Sequence, residues 1–405
     1  MSHSNTVESF TLAPGFRTAA VACGLKPSGN LDLALVAADG PCSAAGVFTT
    51  NRVKAAPVLY DQAALAENAV GIRAVLTNAG NANACTGEEG IANTRRMAEL
   101  TAYALRCQPE DVLILSTGVI GRQLPMDKVT QGIAEVTSKV ADTAPLQAAR
   151  AIMTTDTKPK LSTRQFESNG QTVTISGFCK GAAMIHPNMA TMLAIITTDA
   201  IVEPDMLQAA LRAAVGRSFN RISVDGDMST NDTVLLLASG VSGVTLDSQT
   251  LPPFTEALTD MCTDLAKQIV ADGEGATKMI EITVTGAQSE AQAHMVADSI
   301  ARSPLVKTAI HGGDPNWGRI LCAAGYSGAP LDQERLRLSF GDEAQRLLAV
   351  ERGMPTDYDL ARAEALFQGN PVLIQLDLGL GDFDATVWTC DLSKEYVDLN
   401  ALYTT

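Results

Sequence analysis

The sequence predicts a mixed α/β fold, in which helices and strands alternate along the chain. Three observations carry that expectation. Short apolar runs of strand length recur, among them LDLALVAA at 31–38, DVLILSTG at 111–118 and VLLLAS at 234–239. Between them lie longer segments with helical spacing, clearest at 252–275, where Phe254, Leu258, Met261, Leu265 and Ile269 share one side. Aromatic residues make up 4% of the 405 against 46% hydrophobic, so Ala, Val, Leu and Ile must supply most of the packing. The alternation alone does not choose between α/β and α+β.

Taken in order, the first eighty residues read as strands: AAVACGL, then LDLALVAA, then AAGVFTTN, separated by Gly and Pro. GIRAVLTNAG at 71–80 is a strand entering a Gly/Asn-rich loop. A helix is expected from Thr94 to Arg106, with Met97, Leu100, Thr101, Ala104 and Leu105 on one face. The buried strand at 111–118 ends in a turn. Helices follow at 126–141, with Val129, Ile133, Val136 and Val140 aligned, and at 145–153. Beyond residue 200, a helix over 203–218, the strand at 234–239 and the helix at 252–275 precede a strand at 279–287. Pro at its start and Gly at its stop punctuate the 252–275 helix. The next helix opens at Ser289, whose hydroxyl suits an N-cap. RLRLSFG, PVLIQLDLGL and DATVWTCDL then alternate as strands with one wetter face. Composition shifts near 200 and 284 suggest domains at 1–200, 201–283 and 284–405.

Net charge of −15 argues against a nucleic-acid surface, which needs clustered Lys and Arg. An anionic small substrate remains compatible where a few cations converge, Lys180 among them. The eight cysteines are scattered, with no CxxC pair and no His at ligand spacing, so no metal site is expected and the thiols are expected to be free. MSHSNTVESFTLAPGF has neither a basic start nor an apolar core, which argues against a secretory or mitochondrial address. No uncharged apolar stretch reaches membrane-span length, and a cytoplasmic protein is expected.

The stretch of greatest chemical interest is GFCKGAAMIHPNMATMLAIITTDA, 177–200. A Gly-Lys turn and small residues lead to His186-Pro187-Asn188, then Ala190-Thr191, then the apolar run 192–196 with the composition of a strand buried on both faces. Thr191 stands where a constrained turn feeds a rigid strand. On local pattern alone, an ordinary strand start is the preferred reading. A threonine becomes a nucleophile when its own α-amine acts as base, which requires the Ala190–Thr191 bond to be cut. The Thr191 hydroxyl can attack the preceding carbonyl if the turn strains that peptide, and small Ala190 leaves room.

Other motifs carry two readings each. In STGVIG, Thr117 and the Gly118 N–H suit an oxyanion hole, although a plain strand-ending turn is locally preferred. DGDMSTND at 225–232 resembles a calcium loop but lacks Gly at Thr230 and Glu at Leu236, so a satisfied polar turn is expected. DGEGATK at 272–278 closes a helix and offers Glu274 to a substrate ammonium. HGGDPNWGR at 311–319 reads as a turn-rich loop, and the four dispersed histidines support no Ser-His-Asp constellation.

Together, KGAAMIHPNMATMLA, STGVIG, IMTTDT, RISVDGDMSTNDT, GEGATK and YVDLNALYT resemble, in order and across the chain, the ornithine acetyltransferase (glutamate N-acetyltransferase) family of the cyclic arginine pathway. The resemblance implies a layered αββα-type catalytic domain followed by smaller α/β domains. It also implies self-cleavage between Ala190 and Thr191 into α and β chains, with Thr191 as the acetyl-accepting nucleophile. Thr117 and Gly118 match the oxyanion pair, and Thr154, Lys180, Thr191, Glu274, Asn400 and Thr405 match substrate contacts, with Thr155 an alternative to Thr154. The implied reaction moves acetyl from N2-acetylornithine to glutamate with no metal or organic cofactor, and acetyl-CoA is a further donor in some members. The cleaved chains are implied to associate as two α with two β. A related N-terminal-nucleophile aminopeptidase or amidase, and an uncleaved small-molecule binding protein, are the alternative readings.

Overall fold

A computed structural model describes residues 10–141, 143–168, 170–186, 192–342 and 344–402. Ala190, Thr191 and Thr405 therefore lie outside the described residues. Strands β1 to β9 are Phe16–Val21, Leu33–Phe48, Ile72–Asn81, Val112–Val119, Lys160–Ser168, Gln171–Lys180, Leu193–Thr198, Ile222–Ser223 and Thr233–Ala238. β10 to β15 are Met279–Ala287, Arg337–Phe340, Leu347–Glu351, Met354–Pro355, Val372–Asp377 and Phe383–Cys390. Helices α1 to α6 are Ala56–Glu67, Gly87–Leu105, Met126–Ser138, Pro145–Ala151, Pro204–Arg217 and Leu251–Ala271. α7 to α11 are Glu290–Arg302, Pro304–His311, Trp317–Gly325, Leu360–Gln368 and Lys394–Leu402.

The first sheet runs β4-β3-β2-β9-β7-β6-β5, with β1 also on β2. Its hinge is β2. The sequence reads as two strands there, but the chain continues as one: 33–37 pairs with β3, the register slips between Ala37 and Cys42, and 43–48 pairs with β9. Alternating side chains then separate four layers, as a period of two requires. Leu33, Leu35, Ala74, Leu76, Val112 and Ile114 face outward against Met97 and Ala98 of α2 and Val129, Ile133 and Val136 of α3. Their neighbours Ala34, Val36, Val75, Leu113 and Leu115 face inward and meet Phe178, Leu193, Ile195, Leu235 and Leu237 from the other half of the sheet. Ala194, Ile196, Val234 and Leu236 point the opposite way, onto Leu207 and Leu211 of α5 and Leu258, Met261, Leu265 and Ile269 of α6. The order helix, sheet, sheet, helix is thus written in residue parity, and the expected α/β layered class is what the chain adopts.

The second sheet, β13-β12-β11-β14-β10-β15-β8, is covered on one face by α7 to α10 through Val296, Ile300, Ile310, Ile320 and Phe367. The Ser289 hydroxyl caps α7 by accepting the Gln292 N–H, as expected. Two local expectations need correction. Gly177 to Lys180 is the end of β6 and no turn, because β7 supplies partners from Ile175↔Thr198 to Lys180↔Leu193. The loop expected at 311–319 is shorter, since α8 runs to His311 and α9 begins at Trp317 with Asn316 as its cap. Among the described residues, no helix is long and apolar enough to cross a membrane.

Candidate active site

A cavity of about 270 Å³ opens where β4 and β6 end, and Thr117, Gly118, Thr154, Lys180, Glu274 and Asn400 all line it. These are the sequence-predicted site residues that fall among the described ones, drawn from positions nearly three hundred residues apart. Thr155 lines it as well. Met192, the residue after Thr191, is fixed by donating its N–H to Asp232 Oδ1 at 3.0 Å.

Each wall has a local cause. β4 runs parallel to β3 until Gly80↔Gly118, where the register becomes irregular against Asn81. Gly118 has φ +131°, and a Cβ there would lie 2.3 Å from the Gly80 carbonyl carbon and 2.5 Å from Asn81 N. Only glycine permits that approach. Thr117 is framed by a buried amide network. Ser116 Oγ donates to Asn78 Oδ1 at 2.6 Å, and Asn231 Nδ2 donates to the Ser116 and Ala82 carbonyls at 2.8 and 2.6 Å. Asn231 belongs to the polar turn 225–232, which binds the strand end in place. Among the described residues, no group of three or more His, Cys, Asp or Glu is placed to hold a metal ion.

Lys180 closes β6, is 3% exposed, and donates from Nζ to Thr117 Oγ1 at 3.4 Å. Burial pulls its ammonium below the usual lysine range and Lys160 adds to this, against the opposing pull of Asp156, Asp232 and Glu274. A buried cation beside a threonine hydroxyl is a ready partner for a substrate carboxylate. Asp232 is also fully buried. Burial lifts its carboxyl well above the usual range despite the Met192 N–H.

Glu274 follows α6. Its N–H donates to the Ala182 carbonyl at 2.8 Å, and its Oε2 accepts from Asn400 Nδ2 at 2.8 Å. α11 reaches the cavity because Gly275 has φ +66° and no side chain, where a Cβ would sit 2.5 Å from Tyr396 N. Beneath the cavity lies an ion cluster that sequence reasoning missed. Lys160 Nζ is 2.6 Å from both Asp156 Oδ1 and Asp272 Oδ2, all three side chains buried. Asp156 also accepts the N–H groups of Thr154 and Gly181 at 3.0 and 2.7 Å, and Asp272 accepts the N–H of Thr157 at 3.0 Å together with its hydroxyl. Thr154 and Glu274 thus stand two residues from Asp156 and Asp272, and Lys180 precedes Gly181, whose N–H Asp156 accepts. The TTDT motif was a partial signal for Asp156; nothing local marks Lys160 as buried.

A cavity with a buried ammonium, a carboxylate, hydroxyls and a backbone N–H beside a glycine suits a small zwitterion and can steady an oxyanion.

A model of the ArgJ family matches residues 17–405. The chain is 48% identical over 394 residues to the arginine biosynthesis bifunctional protein ArgJ of Thermotoga neapolitana, covering 96% of this chain and 99% of that one. It is 48% identical over 390 residues to the protein of the same name from Chlorobaculum tepidum, covering 96% and 95%. A crystal structure of arginine biosynthesis bifunctional protein ArgJ from Bacillus halodurans is 46% identical, with a TM-score of 0.50, over 53% of this chain and 100% of that one. With a family match over nearly its whole length and relatives at this identity, the chain belongs to the ArgJ family.

Proposed function

We propose that the chain cuts itself between Ala190 and Thr191 and then transfers acetyl from N2-acetylornithine to glutamate through an acetyl-Thr191 ester. The observation that carries this reading is the meeting of Thr117, Gly118, Thr154, Lys180, Glu274 and Asn400 around one cavity bearing charges of both signs. The Bacillus halodurans chain, about half as long as this one, is in keeping with a bond broken near the middle.

In the first step Thr191 Oγ attacks the Ala190 carbonyl, the C–N bond breaks and frees the Thr191 α-amine as the peptide shifts to an ester, and water then hydrolyses that ester to release the Thr191 hydroxyl and the Ala190 carboxylate. That amine titrates near pH 8, close enough to neutrality to accept the Thr191 hydroxyl proton. Oγ then attacks the acetyl carbonyl, and the Thr117 hydroxyl and Gly118 N–H steady the oxyanion. Collapse breaks the amide C–N bond, and the proton held by the Thr191 amine leaves with the α-amine of ornithine. The α-amine of glutamate attacks the ester, and N-acetylglutamate departs as the proton returns to Thr191 Oγ. Lys180 holds the α-carboxylate of either substrate, and Glu274 with Asn400 meets the side-chain ammonium of ornithine. Thr405 completes the contacts.

The name bifunctional, carried by the relatives, agrees with a second donor, acetyl-CoA, feeding the same ester. No metal or organic cofactor is required. Two α and two β chains associate, in the cytoplasm. Intact-mass measurement of purified protein tests the cleavage, and ornithine release with and without glutamate tests the transfer. One full-length species that persists on long incubation refutes self-cleavage, and rapid glutamate-independent acetate release points to a hydrolase. Thr191→Ala is expected to abolish both cleavage and turnover.

A further inference from the structure

A second cavity, of about 840 Å³, lies beyond Thr154, which lines both. Gly118 borders the first and Val119 the second, so the end of β4 and Thr154 form the wall between them. Lys26, Arg122, Arg150 and Lys158 line the second cavity. Its only carboxylate among the described lining residues, Asp156, is buried and committed to Lys160 and to the N–H groups of Thr154 and Gly181. Lys26 Nζ donates to the Leu31 and Ala151 carbonyls at 2.6 and 2.9 Å. The side chains of Arg122, Arg150 and Lys158 have no ion-pair or hydrogen-bond partner among the described residues, and all three residues are exposed.

In a chain of net charge −15, three unpaired cations around one concavity reverse the local sign. Arginine forks and a lysine ammonium in a concave site suit phosphate oxygens, and the volume falls within the range that holds a nucleotide-sized ligand. A free amino acid carries too little charge and bulk to need it. We infer that this cavity seats the phosphorylated adenosine end of acetyl-CoA, with the pantetheine arm crossing the Thr154 wall so that the acetyl group reaches Thr117 and Gly118. The inference rests on the reading of acetyl-CoA as second donor. The step balances: Thr191 Oγ forms the ester bond, the C–S bond breaks, and the proton taken up by the Thr191 amine passes to the departing thiolate.

The test compares wild type with Arg122→Gln/Arg150→Gln/Lys158→Gln, as the full cleaved protein, in two assays. One makes N-acetylglutamate from acetyl-CoA and the other from N2-acetylornithine. The variant is expected to raise KM for acetyl-CoA at least about tenfold, the scale of one lost charged hydrogen bond. Transfer from N2-acetylornithine should stay within about twofold. Adenosine 3′,5′-bisphosphate should compete with acetyl-CoA in wild type and lose potency in the variant. An unchanged KM for acetyl-CoA in the variant overturns the cavity assignment and leaves the second donor standing. Wild type that neither uses acetyl-CoA nor binds adenosine 3′,5′-bisphosphate by calorimetry overturns both. Binding of inorganic phosphate alone, lost in the variant, overturns acetyl-CoA in favour of a free phosphate.

Discussion

Replacing Lys160 by Met removes the cation of the buried hub while keeping the length and volume of its stem. Nζ lies 2.6 Å from each of two carboxylates whose side chains are almost fully shielded from water. After the change, Asp156 keeps the Thr154 and Gly181 N–H groups, and Asp272 keeps the N–H and hydroxyl of Thr157. Asp272 would then lose the cation bonded to it and Asp156 would keep only the pull of Lys180, and breaking a buried pair in this way costs about 3–5 kcal/mol. Urea unfolding at pH 7 should show a loss of that order. Adding Asp156→Asn and Asp272→Asn should recover a large part of it, because neutral amides no longer demand a cation. The same variant tests positioning: Thr154 and Glu274 hang from the hub, so transfer by the folded fraction should fall as well. A loss below about 1 kcal/mol, or a triple variant no better than Lys160→Met, refutes the account of the hub as a paired charge cluster.

Thr117→Val removes one oxyanion donor and should lower kcat about 100- to 1000-fold with little change in unfolding, read by initial rates at saturating substrate. Glu274→Gln should raise KM for N2-acetylornithine about tenfold or more while KM for glutamate changes less, since only ornithine presents a side-chain ammonium. Acid should expose the hub: burial raises the Asp156 carboxyl, but Lys180 and Lys160 outweigh it and hold it at about 2, below 3.8. Its contribution, about 2 kcal/mol, is therefore complete above pH 4 and lost as pH falls through 2, and the Lys160→Met variant should show a shallower acid limb in the same urea titration. Cleaved chains should coelute on native size exclusion and part only under denaturant; separation in plain buffer would contradict the interleaved sheet.

Much of the fold is legible in the sequence because residue parity is legible. β10 spans 279–287 as its alternation demands, and Ser289 caps α7. What escapes is structure made by partners distant in the chain. α1 has a weak helical pattern because Asp61 points into the core, where its Oδ1 accepts the Ile114 N–H at 2.7 Å. The hairpin β5–β6 is rich in Ser, Thr and Gly and becomes a strand pair only against β7. At the site, motifs name the residues that face the cavity and miss those that hold them. Asp156 and Asp272 are 116 positions apart and meet through one lysine. The polar turn 225–232 looked like a self-satisfied loop, yet Asn231 and Asp232 spend their side chains on strand ends elsewhere. A dense Asp/Asn/Ser/Thr stretch leading straight into a fully buried strand is the signal to use, since buried polar groups require partners.

A cut at Ala190–Thr191 need not divide the protein, and the strand order says why. In the first sheet, β2 and β6 precede the bond while β7 and β9 follow it, and the order β2-β9-β7-β6 seats the two later strands between earlier ones on either side. β6 pairs with β7 over six residues and β2 with β9 over another six. The inner core mixes Phe178 with Leu193 and Ile195, and the outer core sets Ile175 and Cys179 beside Leu236 and Met261. The flanks of the bond are held independently. Asp225 accepts the N–H groups of Met184 and Ile185 at 2.6 and 2.9 Å, and Asp232 accepts that of Met192 at 3.0 Å. Breaking the bond removes a covalent link whose flanks are each anchored by hydrogen bonds to the 225–232 turn. The apolar layers stay buried whether or not the peptide is intact, so a chain built this way can release a new N-terminus at its centre and remain one folded body.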